Sequence, residues 1–67
     1  MEDRINGTVK WFSGTLNYGF ITDNNHREYF LHVSDIQENV RIFEGDDVEF
    51  ESKKTEKGYS AINVKKV

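Results

Sequence analysis

Three short runs hold the residues of this chain that could act on a ligand: Lys10-Trp11-Phe12, Tyr18-Gly19-Phe20-Ile21 and Tyr29-Phe30-Leu31-His32. Each places aromatic rings at strand-like spacing. Alternate side chains of a strand share a face, so Tyr18 and Phe20 point one way together, as do Phe30 and His32. If those two runs pair, four flat rings share one surface, with Trp11 on a strand beside them. Rings held on a solvent-facing surface stack on unpaired nucleic-acid bases. His32 suits the same work, as a stacking ring or as a donor to a phosphate. It has no partners for a metal site, because His26 is the only other histidine and cysteine is absent. No nucleophile–base pair stands near it in a recognisable motif, and no glycine-rich loop could cradle a phosphate. Binding is therefore expected, with no catalysis, no metal and no cofactor.

The competing reading of these rings is burial. A small barrel interior must hold Val9, Phe12, Ile21, Leu31, Val48, Phe50, Ile62 and Val64, with Ile5 and Ile36 at its ends. Those residues already fill a domain of this size. Adding Trp11, Tyr18, Phe20 and Phe30 would overpack it, and alternation separates the two sets. An exposed platform is the expectation.

Charge argues in both directions. The net charge of -3 is unfavourable for a nucleic-acid ligand. The distribution softens that objection: residues 35–51 carry seven acids and one base, Arg41, whereas from Lys53 onward there are five lysines and one acid, Glu56. A local basic patch can meet phosphates despite the overall sign. Lys53 and Lys54 read as solvated loop residues. Lys10 and Lys57 gain a role if the fold brings them to the aromatic face. The acidic run has no calcium-loop spacing and reads as a solvated face.

These residues must be positioned by β-structure, since helical periodicity is absent. Runs at 5–12, 18–22, 29–33, 48–51 and 59–65 favour strands, and turn-rich segments separate them. Residues 23–28 read as a turn and 53–58 as a loop or hairpin end. Ser34 followed three residues later by Gln37 resembles a capping box, so one helical turn is expected there. Five short strands suggest a small barrel or sandwich, and closure into a barrel removes exposed edges. Proline is absent, so any run can be an interior strand. The 67 residues read as a single domain, 1–67, with a small core. No stretch suits a signal peptide or a membrane span. The lack of cysteine suits a reducing cytoplasm.

In order and spacing the whole set resembles the cold-shock domain family, over nearly all of the chain. Gly7-Thr8-Val9-Lys10-Trp11-Phe12 matches the family's opening strand. Leu16-Asn17-Tyr18-Gly19-Phe20-Ile21 resembles its first ribonucleoprotein motif, usually K-G-F-G-F-I. Tyr29-Phe30-Leu31-His32-Val33 resembles the second, usually V-F-V-H-F. Ser34-Asp35-Ile36-Gln37 matches the turn that follows, and Lys57-Gly58 with Ala61-Ile62-Asn63-Val64 resembles the closing segment.

The resemblance implies an all-β fold, a five-stranded antiparallel β-barrel of the oligonucleotide-binding (OB) type. It implies low-specificity binding of single-stranded RNA and DNA on the face of strands one to three. It also implies the work of a cytoplasmic RNA chaperone or a regulator of transcription and translation, expected to be a monomer. It puts Lys10, Trp11, Tyr18, Phe20, Phe30, His32 and Lys57 on binding positions. Four departures trim the rim. Leu16-Asn17 replaces a usual Lys-Gly, and Val33 replaces a usual aromatic. The connector 38–44 is short and lacks a mid-loop aromatic, and Tyr59 stands where proline is common. Weaker binding or a shorter footprint is expected. A protein-interaction module using the aromatic patch of the same barrel is the alternative.

Overall fold

In the computed structural model, which describes residues 4–37 and 41–67, the strands are β1 (Ile5–Ser13), β2 (Tyr18–Asp23), β3 (Glu28–His32), β4 (Asp47–Thr55) and β5 (Gly58–Lys66). They close into a barrel in the order β1-β2-β3-β5-β4, with β4 pairing back onto β1. Four seams are antiparallel. The fifth, between β3 and β5, is parallel, with Phe30 opposite Ser60. The reason is topological. Because β4 is antiparallel to β1, β5 returns in the direction of β1 and β3.

The core follows the alternation in β2, β3 and the first half of β4. Val9, Ile21, Leu31, Val48, Phe50 and Val64 are buried. Phe12, Ile5 and Ile36 pack against this cluster while only partly buried. Ile62, expected inside, is half-buried on the outer side, and Ala61 takes the core position. Asn63 adopts a left-handed conformation (φ 52°), and the β4–β5 register shifts between Glu49 and Glu51. The inward residues of β5 thus become Ala61 and Val64, three apart. Ile42 and Tyr29 complete the core.

Tyr29 shows how a polar tip enters so small an interior. Its ring packs 4.8 Å from that of Phe50, and its hydroxyl donates to Asp23 Oδ2 at 2.8 Å. Burial is the main reason that the phenol is pushed above 10, with the Asp23 carboxylate adding to it. Burial likewise pushes Asp23 up, but the amides of Arg27 and Asn25 and the Tyr29 hydroxyl donate to it and outweigh that effect. Asp23 therefore sits below 3.8 in the folded state. Asp46 is also held low, chiefly by the Phe43 amide. A depressed carboxylate stabilises the fold above its unfolded pKa and loses that contribution as pH falls through the folded value. The unfolding midpoint is thus expected to drop as pH falls through and below 3.8. Thermal melts should show a shallower acid limb for Asp23→Asn than for the unaltered chain.

The strand bounds differ from the sequence-based expectation, and the differences at the ends of β3 and β4 bear on the binding face. β4 runs on to Thr55, so Lys53 and Lys54 are strand residues, and Glu56 and Lys57 alone form the turn. The Thr55 hydroxyl closes that turn by donating to the Gly58 carbonyl at 3.0 Å and accepting from the Lys57 amide at 3.3 Å. β3 ends at His32, and Val33–Asp35 form a 3₁₀ turn. His32, not Ser34, caps that turn, because its Nδ1 accepts the Ser34 amide at 3.1 Å.

Candidate nucleic-acid interface

A bulge in β1 decides which rings face outward. Val9 lies opposite Ile21, but Trp11 lies opposite Phe20, so Lys10 is the extra residue. Unbroken alternation from Val9 would send Trp11 inward and Phe12 outward. The bulge reverses this: Trp11 joins Phe20 outside, and Phe12 turns to the core rim. Gly19 permits the close approach of β1 and β2 at this point. A Cβ on Gly19 would collide with the Trp11 carbonyl oxygen and lie 2.7 Å from Phe12 Cα.

The outward rings make a continuous patch. Trp11 lies 5.5 Å from Tyr18 and 5.7 Å from Phe20 between ring centroids. Phe30 lies 5.6 Å from Tyr18 and 5.8 Å from Phe20. The rings meet edge-on or tilted, the arrangement that aromatic quadrupoles prefer. Phe30 is 37% exposed and the other three are half-buried. His32, opposite Tyr18 in the register, is exposed at the end of β3. Because His32 Nδ1 accepts from Ser34, the neutral ring carries its proton on Nε2, which is left as a donor.

The two lysines sit differently. Lys10, the bulge residue, pairs with Glu28 at 2.7 Å, both side chains being about half exposed. An exposed pair of this kind contributes at most about 1 kcal/mol, so a phosphate can compete for it. Lys57 lines a groove of about 350 Å³ together with Phe20, Phe30, Thr55, Tyr59 and Ser60. The fold thus sets Trp11, Tyr18, Phe20, Phe30 and His32 on the outer side of β1, β2 and β3, with Lys57 lining the groove beside Phe20 and Phe30, whereas Lys10 is engaged by Glu28. Thr55, Tyr59 and Ser60 were not anticipated. Tyr59 could be flagged only as a departure from the family pattern, and nothing in the sequence marked the other two. The Tyr59 ring packs beside Tyr29, with the Arg27 guanidinium 4.5 Å above it.

Two of the four departures meet at one end of the patch. Leu16 is 56% exposed and Val33 42% exposed, and the Val33 amide donates to the Asn17 carbonyl. A cation and a ring are therefore replaced by two aliphatic side chains. Of the connector, 38–40 lie outside the described residues. At its far end Phe43 is exposed, beneath Lys66 Nζ at 5.7 Å. Among the described residues no group of His, Cys, Asp or Glu could hold a metal ion. No helix among them is long and apolar enough to cross a membrane.

Comparison with known proteins agrees with this geometry. The family model described as the 'cold-shock' DNA-binding domain matches residues 5–67. The major cold shock protein of Micrococcus luteus is 45% identical over 64 residues, covering 91% of this chain and 96% of that protein. Cold shock-like protein CspC of Buchnera aphidicola is 42% identical over 64 residues, covering 91% and 93%. Among solved structures, Drosophila Unr CSD456 superposes with a TM-score of 0.80 at 25% identity, over 98% of this chain and 27% of that longer one. With the match running from β1 to the end of β5 around an outward patch of rings, the chain belongs to the cold-shock domain family of nucleic-acid-binding proteins.

Proposed function

We propose that this chain binds single-stranded RNA or DNA by stacking bases on Trp11, Tyr18, Phe20 and Phe30, and acts as a nucleic-acid chaperone or a regulator of transcription and translation. One observation carries the reading: four rings in mutual contact lie outside a barrel whose interior is filled without them. Every base has a π-face, so stacking carries little sequence preference. His32 donates through Nε2 to the strand, and Lys57 meets a phosphate across the groove. Lys10 does so in competition with Glu28. Binding alone is the activity, without cofactor or chemistry. The working unit is a single domain, 1–67, monomeric and cytoplasmic. A fluorescent RNA hairpin tests the chaperone role. The protein should hold the opened hairpin without added nucleotide, and an unchanged hairpin at saturating protein would contradict it.

The rim tests the register of the platform's end. Val33 stands exposed where the chain leaves β3, so a ring there has room. Val33→Phe is expected to tighten binding by up to the roughly 1–3 kcal/mol of one stacked base, with little change in the unfolding midpoint. Loss of stability without gain in affinity would contradict this placement. The exposed Leu16 and Val33 also favour a second reading, in which this end of the patch contacts protein. Titration with an oligonucleotide against scrambled peptides separates the two.

A further inference from the structure

The row of rings continues past Phe30. Trp11 lies opposite Phe20, Phe20 opposite Phe30, Phe30 opposite Ser60, and Ser60 opposite Lys53. Directly opposed residues on neighbouring strands point to the same face. These five side chains therefore form one outward row across β1, β2, β3, β5 and β4. With strands about 4.8 Å apart, four spacings make the row roughly 19 Å long along the sheet. It begins with three rings and ends on an ammonium group. Three members of the row, Phe20, Phe30 and Ser60, line the groove together with Thr55, Lys57 and Tyr59.

Ion pairing separates the lysines. Lys10 is held by Glu28, Lys65 by Glu49 and Lys66 by Asp46. Lys53 is exposed and has no carboxylate partner among the described residues. A cation without a partner, in register with three stacking rings, has the chemistry of a phosphate contact. We propose that Lys53 binds a backbone phosphate of the single strand where it leaves the rings, so that the strand crosses the barrel along this row, transverse to the β-strands. The proposal rests on the reading of the rings as a base-stacking surface. Lys54, the next residue of β4, lies opposite Tyr59. Alternation takes it out of the row although it too is exposed, which makes it the internal control.

The test uses Lys53→Gln and Lys54→Gln with two oligothymidines over a salt series. One oligonucleotide covers only the rings, and the other is long enough to run from Trp11 past Ser60. One phosphate contact on a single strand contributes about 0.7 to the log–log salt slope. For the longer strand, Lys53→Gln should lower the slope by that amount, equivalent to about fivefold in affinity for each tenfold change in salt. The short strand should bind as tightly as before, and Lys54→Gln should match the unaltered protein with both. Equal losses in the two variants, an unchanged slope in Lys53→Gln, or an equal loss with the short strand would overturn the proposal. Failure of the unaltered protein to bind the short strand would overturn the stacking surface itself. Unfolding midpoints of both variants should equal that of the unaltered protein, as neither side chain is buried.

Discussion

Phe50→Ala is expected to cost about 3–5 kcal/mol of stability, as truncation of a buried aromatic does, while Phe30→Ala should cost far less. Phe50 is fully buried against Tyr29, whereas Phe30 is 37% exposed. Marginal stability makes the first change severe. A small domain has a net stability toward the low end of about 5–15 kcal/mol, so Phe50→Ala should leave much of the chain unfolded at ordinary temperatures. Binding should show the opposite order. Phe30→Ala and Phe20→Ala each remove a stacking ring and should weaken a single-strand complex by roughly 1–3 kcal/mol. Chemical denaturation and oligonucleotide titration of the three variants check both halves. A Phe30→Ala protein as unstable as Phe50→Ala would mean that the outward rings serve as core.

The second large effect belongs to Gly19. A Cβ there meets the Trp11 carbonyl and the Phe12 backbone. Those are main-chain atoms of the neighbouring strand, so no side chain can rotate out of the way. Gly19→Ala must push β1 from β2, at the upper end of the about 1–3 kcal/mol typical of overpacking. The same displacement moves Trp11 off Phe20, so affinity should fall together with stability. Gly14→Ala is the matched control, since nothing lies within 4 Å of a Cβ at that position. Denaturation and titration of both variants decide the point. A Gly19→Ala protein of normal stability and affinity would mean that the two strands are less closely held than the register requires.

How far the sequence reveals this arrangement depends on the range of the interaction. In β2 and β3 the period-two pattern is unbroken, so Tyr18 with Phe20, and Phe30 with His32, are assigned correctly by alternation alone. In β1, Val9 and Phe12 both read as interior although their spacing is odd. The Lys10 bulge reconciles them, and it exists only through pairing with β2. In β5 the left-handed Asn63 breaks the pattern in the same way and exchanges Ile62 for Ala61. The Ser34–Gln37 capping box is a local signal overridden by His32, whose ring accepts the Ser34 amide from two positions earlier, while the Gln37 amide donates to the Val64 carbonyl. The Lys10–Glu28 pair and the Phe30–Ser60 seam join residues 18 and 30 positions apart. Neither leaves a trace in local spacing, which is why the groove beside Lys57 is visible only in the folded chain.

Trp11 is the only tryptophan and lies in contact with both Tyr18 and Phe20, so its fluorescence reports on the ring surface directly. Titration with a short oligothymidine at low salt should quench it in a saturable way, because stacking requires unpaired bases. The matching duplex should quench it far less at equal concentration. Equal quenching by duplex and single strand, or no quenching by either, would contradict the claim that this face binds bases.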